Sequence, residues 1–297
     1  MLTWLYTPAD HPGRLTKALA GPSDVVVVDL EDAVAPAAKD AARAAVVTLL
    51  TSLRRRDGRT AQMNAGDVPA PRTAAWDGVA RDLTRLQVRV NDVRTAWGLA
   101  DLRALAPLMA GTAGLRLPKT ESPALLRTVA DTAPGVPLHP LIESAVGLER
   151  AYDIATAHPS VASIGLGEAD LRAELGVHDE AGLAWARSRV VVAARAAGLP
   201  APAQSVYTDV RDLDGLAASC RLGRAMGFRG RAAIHPAQLP VIVAAYRPTA
   251  PEIAAAEAVL TASGAGATVL PDGRFVDEAI IRQARATLAD ATGGRNL

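Results

Sequence analysis

Short apolar runs alternate along this chain with longer segments in which apolar residues recur every three or four positions. The runs Thr3–Thr7, Val25–Leu30, Leu86–Asn91, Gly114–Pro118, Pro137–Ile142, Val161–Gly165, Ser205–Thr208 and Ala232–His235 read as strands. Val25-Val26-Val27-Val28 is apolar without alternation, the pattern of a strand covered on both faces. The periodic Ala/Leu/Arg-rich segments between them, among them Pro36–Leu53, Ala181–Ala197 and Leu213–Met226, read as helices. Eight such units in roughly 250 residues predict a (β/α)8 TIM barrel. A doubly wound open sheet is the rival, and the first strands lack the Gly-rich dinucleotide fingerprint it would favour. Arg54–Asp82, rich in Gly, Pro and polar residues, reads as an extended connection. Past Pro248 the pattern changes: Pro251–Ser263 and Val276–Asp290 read as helices around a loop at Gly264–Pro271. The expected organisation is therefore a barrel domain over 1–247 and a small C-terminal helical lid over 248–297.

Composition narrows the class. The chain has 297 residues, 49% hydrophobic but only 3% aromatic, so its core is aliphatic. A net charge of +1 without long single-sign runs argues against a nucleic-acid partner. Cys220 is the only cysteine, which excludes an intramolecular disulfide and a thiolate metal cluster. It falls in an apolar helical pattern and is expected to be a buried, inert thiol. Met1-Leu2-Thr3-Trp4-Leu5-Tyr6 has neither the basic start nor the apolar core of a signal peptide. No stretch approaches the ~20 apolar residues of a membrane span, so a cytoplasmic location is expected.

The predicted strand ends are polar in an orderly way: Asp29-Leu30-Glu31-Asp32, Arg89-Val90-Asn91-Asp92, Pro118-Lys119, Glu143, Asp170 and His235-Pro236-Ala237-Gln238. In a barrel, residues just after strands face the catalytic end. Any one of them alone could be a helix cap or a solvated charge. About one strand–helix–strand unit separates Glu143 from Asp170, which puts both at the same ends of neighbouring strands, about 4.8 Å apart. Two such carboxylates can share one hard cation. Oxygen ligands without a His or Cys partner favour Mg2+, with Mn2+ as an alternative, over Zn2+; the competing reading is a pair of unrelated capping or salt-bridged acids. The planar fork of Arg89 suits a substrate carboxylate or carbonyl oxygen, or else an ion pair with Asp29 or Glu31. Lys119 could serve as a Schiff-base amine, since class I aldolases place a lysine on a barrel strand. His235 could be a base or a structural hydrogen-bonder.

These residues, in this order, resemble the citrate lyase β-subunit-like branch of the HpcH/HpaI aldolase family over nearly the whole chain. Trp4-Leu5-Tyr6-Thr7-Pro8-Ala9-Asp10 with Lys17-Ala18 is similar to its opening motif. Asp29-Leu30-Glu31-Asp32-Ala33-Val34, with Lys39 and Ala42-Arg43, is similar to its most characteristic block. Arg89-Val90-Asn91, Leu117-Pro118-Lys119, Leu141-Ile142-Glu143, Gly167-Glu168-Ala169-Asp170, Gly227-Phe228-Arg229-Gly230 and Ile234-His235-Pro236-Ala237-Gln238 continue the series. The resemblance implies a (β/α)8 barrel, often a homotrimer, acting on coenzyme A thioesters. It implies that Glu143 and Asp170 bind Mg2+ and that Arg89 contacts the acyl portion. Tyr6, Lys17, the backbone of Glu31, Asp32, Ala33, Val34, Ala35 and Pro36, and Ile234 with His235 would contribute to the CoA thioester pocket. Gly273-Arg274-Phe275-Val276-Asp277 resembles the family's lid motif, whose aspartate is a catalytic acid/base reaching a neighbouring subunit. Asp277 matches that aspartate.

The chain departs from the family pattern at several positions. Leu2 stands where Arg is usual, and Pro8-Ala9 where Pro-Gly is usual. Gly13 stands where some relatives use a lysine on CoA, with Arg14 beside it. Gln204 replaces a common Asp, and Ala279 a Pro. These changes bear on acyl preference and CoA contacts and leave the metal pair intact. The implied reaction is reversible cleavage of a 3-hydroxyacyl-CoA carrying a second carboxylate, such as malyl-, citramalyl-, citryl- or hydroxymethylglutaryl-CoA, into an acyl-CoA and an oxo acid. A Schiff-base aldolase using Lys119, or a non-catalytic CoA-binding or lyase-complex subunit, are the alternatives.

Overall fold

The computed structural model describes residues 1–56, 85–262, 268–269 and 273–292. They fall into two compact units, Met1–Ile242 and Val243–Leu297. The first holds β1 (Thr3–Pro8), α1 (Pro12–Ala20), β2 (Val25–Asp29), α2 (Lys39–Arg56), β3 (Leu86–Arg89), α3 (Ala96–Met109), β4 (Gly114–Leu117), α4 (Pro123–Thr132), β5 (Leu138–Ile142), α5 (Ala145–Glu149), α6 (Ala151–Ala155), β6 (Gly165–Leu166), α7 (Glu168–Leu175), α8 (Ala184–Ala196), α9 (Leu213–Ala225), β7 (Arg231–Ala233) and the start of α10 (Gln238–Tyr246). The expected connection Arg54–Asp82 begins as the last turn of α2, and its residues 57–82 lie outside the described residues.

The seven strands form one parallel sheet in the order β6-β5-β4-β3-β2-β1-β7. Strand β2 lies between β1 and β3 with all five residues buried, as its unbroken valine run requires. Each fully buried valine contributes roughly 1.5–3 kcal/mol through surface removed from water. The ladder fixes which residues lie side by side: Pro8 beside Asp29, Asp29 beside Arg89, and Arg89 beside Arg116.

Two expected strands are corrected. Val161–Gly165 is a single bridge, Val161 to Leu138, and the ladder to β5 resumes only at Gly165. In between, the Ser163 hydroxyl lies 2.8 Å from His139 Nδ1. Ser205–Thr208 is not a strand; the local pairing is one bridge between Gln204 and Arg231. Pro200 and Pro202 have no N–H for a ladder. The Ser205 hydroxyl replaces backbone pairing, donating to Leu166 O (2.5 Å) and accepting from Glu168 N (3.3 Å). Residues 204–205 therefore touch both edge strands, β7 through a backbone bridge and β6 through a side chain, so the sheet curls on itself.

In the second unit, α11 (Ala250–Ala262) packs on α12 (Glu278–Ala291) through Ala256, Val259, Ile281 and Ala284, with Val276 buried among them. β8 (Thr268–Val269) pairs antiparallel with β9 (Phe275–Val276), so part of the expected loop Gly264–Pro271 is a strand; residues 264–267 and 270–271 lie outside the described residues. Among the described residues no helix is long and apolar enough to cross a membrane. Cys220 is a free, buried thiol whose pKa is raised by burial.

Candidate functional site

The C-terminal ends of β2 to β6 carry a dense charged cluster. Asp29 closes β2, and its carboxylate takes Arg89 in a two-pronged bond: Nε to Oδ1 at 2.9 Å and Nη2 to Oδ2 at 2.6 Å. Arg89 Nη1 also lies 2.9 Å from Glu31 Oε2 and 3.4 Å from Asp32 Oδ2. Arg89 thus makes the expected alternative ion pairs with both Asp29 and Glu31. These carboxylates hold its pKa above the ordinary arginine value despite burial. The Tyr6 ring lies 5.2 Å from the Arg89 guanidinium and 5.9 Å from that of Arg116; burial raises the Tyr6 pKa.

Glu31 sits on the turn after β2, and buried Lys39 holds that turn. Its ammonium donates to Leu30 O and Glu31 O, both at 3.0 Å, and to Asn91 Oδ1 at 2.6 Å. Asn91 is held in turn by buried Asp101, which also accepts from Arg43 Nε at 2.6 Å. The role of Lys39 and Arg43 in the Asp29–Arg43 block is therefore to brace the turn that presents Glu31.

Lys119 follows β4 with φ +50, the left-handed region that disfavours a non-glycine residue. Its main-chain N–H donates to Glu143 Oε2 at 2.8 Å. Its ammonium donates to Glu31 Oε1 at 2.7 Å and lies 3.8 Å from Asp170 Oδ1. Burial works against this ammonium, but Glu31, Glu143 and Asp170 more than offset it and raise its pKa. A Schiff-base nucleophile requires the opposite shift.

Glu143 is buried just past β5, and Asp170 lies in the first turn of α7, just past β6. Burial, with the negative charges of Glu31 and Asp170, pushes the Glu143 carboxyl up to about 7. The absent side chain of Gly167 leaves room for Glu143; a Cβ there would fall 2.6 Å from Glu143 Cδ and closer still to Oε1. Two residues fix the start of α7: Ser205 receives Glu168 N, and buried Arg187 grips the Glu168 carboxylate with Nε at 2.9 Å and Nη2 at 2.6 Å.

Does this arrangement suit a hard divalent cation? Five carboxylates, Asp29, Glu31, Asp32, Glu143 and Asp170, face two cations, Arg89 and Lys119. Among the described residues no group of three His, Cys, Asp or Glu side chains forms a ready-made metal cluster. One or two carboxylates, with water and substrate filling the remaining positions, is how Mg2+ is ordinarily held. The donors are all oxygen, and the burial that disfavours a charged Glu143 would be relieved by a cation. The residues fit.

The fold does not gather every expected site residue into this cluster. Val34 is buried in the turn after Glu31, its N–H donating to Glu31 O, while Asp32, Ala33, Ala35 and Pro36 are exposed there. Lys17 is exposed in the last turn of α1. Ile234 and His235 are exposed after β7, where both their N–H groups donate to Gln238 Oε1. Asp277 belongs to the second unit and caps α12, its carboxylate accepting from Ile280 N at 3.0 Å.

One polar layer beneath the cluster was not foreseen. Arg116 donates through Nε and Nη2 to Gln87 Oε1 (3.0 and 2.6 Å), and His139 pairs with Ser163. Their positions within apolar strands were the only signal. Burial and the Arg116 charge push the His139 pKa down to about 3, so the ring is neutral in the fold. Below the ordinary histidine pKa near 6.5 the unfolded chain binds a proton that the folded one refuses, so stability falls as pH drops from 6.5 towards 3. Urea unfolding of the wild type and of His139→Gln should differ in slope: the wild type should lose about 2 kcal/mol more between pH 6.5 and 5. Parallel pH profiles would contradict a buried neutral imidazole.

Comparison with known proteins gives the following. A family model described as HpcH/HpaI aldolase/citrate lyase matches residues 2–63 and 73–236. The chain is 36% identical over 296 residues to the (3S)-malyl-CoA thioesterase of Cereibacter sphaeroides strain KD131, covering 97% of this chain and 93% of that protein. It is also 36% identical, over 300 residues, to the citrate lyase subunit beta-like protein of Mycobacterium tuberculosis strain H37Rv, covering 97% and 94%. The structure of CitE from Mycobacterium tuberculosis in complex with magnesium, acetoacetate and coenzyme A matches with a TM-score of 0.76 and 33% identity over 98% of both chains.

Proposed function

The chain belongs to the HpcH/HpaI aldolase/citrate lyase family, and from that membership we propose that it is a Mg2+-dependent carbon–carbon lyase for 3-hydroxyacyl-CoA esters. The observation that carries this reading is the placement of Glu143 and Asp170 after neighbouring parallel strands, around one lysine whose main chain bonds Glu143 and whose ammonium faces Asp170, with oxygen donors only. The magnesium, acetoacetate and coenzyme A held by the CitE relative support it. We also read residues 204–205 as the eighth stave of a (β/α)8 barrel, and the protein as a cytoplasmic homotrimer with a lid formed by the C-terminal segment.

Glu143 and Asp170 would hold the ion, which supplies Lewis acidity to the hydroxyl and carboxylate oxygens of the oxo-acid half. The hydroxyl proton would pass to water, the bond between C2 and C3 would break to leave the oxo acid, and its electron pair would pass to the thioester as an enolate. Arg89, carried on β3, largely buried and braced by Asp29, stabilises oxyanion charge. Asp277, supplied by the lid of a neighbouring copy, returns a proton to the enolate carbon to give the acyl-CoA, a role typically worth about 10²–10⁴-fold. Tyr6, Lys17, the Glu31–Pro36 turn and Ile234-His235 would line the CoA path.

The relatives named malyl-CoA thioesterase favour a second reading, in which water adds to the thioester and frees an acid and the CoA thiol. One assay separates the two. With malyl-CoA and millimolar Mg2+, the lyase releases an oxo acid, captured as its phenylhydrazone, and no free thiol. The thioesterase releases thiol and no oxo acid. We expect oxo acid, abolished by chelator; thiol alone would replace the lyase reading with the hydrolase.

A further inference from the structure

We propose that Lys119 is a tethered counter-cation that occupies the carboxylate cluster until a divalent ion displaces its ammonium, so that metal uptake at this site is a cation exchange. The inference rests on the metal reading above and adds what sets the site's affinity.

One residue touches three of the cluster's carboxylates. The Lys119 main chain donates to Glu143, and its ammonium donates to Glu31 and faces Asp170. Arg89 meanwhile is committed to Asp29, with Glu31 and Asp32 at its other prong. The left-handed backbone at Lys119 is a conformation a non-glycine residue holds only when its surroundings enforce it. Here the bond to Glu143 does so, and it turns the side chain back across the cluster. A divalent ion on Glu143 and Asp170 and an ammonium 3.8 Å from Asp170 repel each other at short range. The Lys119 side chain is already one-third exposed, so release to solvent needs no unfolding.

Two measurements test this. Calorimetric titration with Mg2+ should show Lys119→Met binding on the order of tenfold more tightly than the wild type, and Lys119→Arg binding like the wild type. The second uses the unaltered protein. It has three lysines, Lys17, Lys39 and Lys119, so acetylation can be followed at each by peptide mapping. Mg2+ should speed acetylation of Lys119 several-fold and leave Lys17 unchanged. Wild-type uptake of Mg2+ with unchanged or weaker binding by a folded Lys119→Met, or with Lys119 labelling indifferent to the ion, overturns the exchange and leaves the metal reading standing. If Lys119→Met does not fold, the labelling alone decides. If neither protein takes up Mg2+, the metal reading falls and the exchange with it.

Discussion

Asp170→Ala should lower kcat/KM for the Mg2+-dependent reaction by about 10³-fold or more while the protein stays folded. The magnitude follows if Asp170 is one of two protein groups on the proposed ion, whose charge stabilisation is worth several kcal/mol at about 1.4 kcal/mol per factor of ten. Folding should be nearly indifferent. The Asp170 side chain is 44% exposed, and its nearest charged partner, the Lys119 ammonium, is 3.8 Å away. Removing an acid from the first turn of a helix costs about 0.3–1 kcal/mol. Kinetics across a Mg2+ series, paired with thermal unfolding, would separate the two effects. A variant that retains full turnover in metal-free buffer would refute the scheme.

Gly167→Ala should be nearly as damaging, through shape alone. Gly167 has φ −95 and ψ 91, which any residue adopts without strain. The difficulty is the added methyl, which would overlap the Glu143 carboxylate. Glu143 has no easy retreat: it is buried, and its other oxygen takes the Lys119 main-chain N–H. Overpacking of this kind costs about 1–3 kcal/mol of stability. Displacing Glu143 from its proposed place on the ion should reduce activity by about 10²-fold or more. Wild-type Mg2+ binding by Gly167→Ala alone would show that Glu143 does not depend on that space.

Much of this was legible in the chain. Strands β1 to β5 are apolar runs bounded by polar residues, and burial on both faces writes itself into composition, as in Val25–Val28. The alignment of Glu143 with Asp170 follows from parallel pairing of β5 and β6. Other features depend on contacts that have no local signature. Val161–Gly165 and Ser205–Thr208 have strand-like composition, but Ser163 pairs through its hydroxyl with the His139 ring, and the Ser205 hydroxyl takes a carbonyl of β6 that backbone pairing would have taken. Lys119 read as a strand-end amine. Its left-handed backbone and its bond to Glu31, 88 positions away, are set by tertiary structure. Lys39 likewise looked like part of a motif, and only the fold shows it clamping the turn that carries Glu31.

The join between β6 and β7 has a further effect. A single bridge at Gln204 and one serine hydroxyl hold the two edges there, and that hydroxyl also receives the first amide of α7. This seam of the curled sheet thus lies next to the helical turn bearing Asp170. Opening this seam would release the serine's hold on the start of that helix.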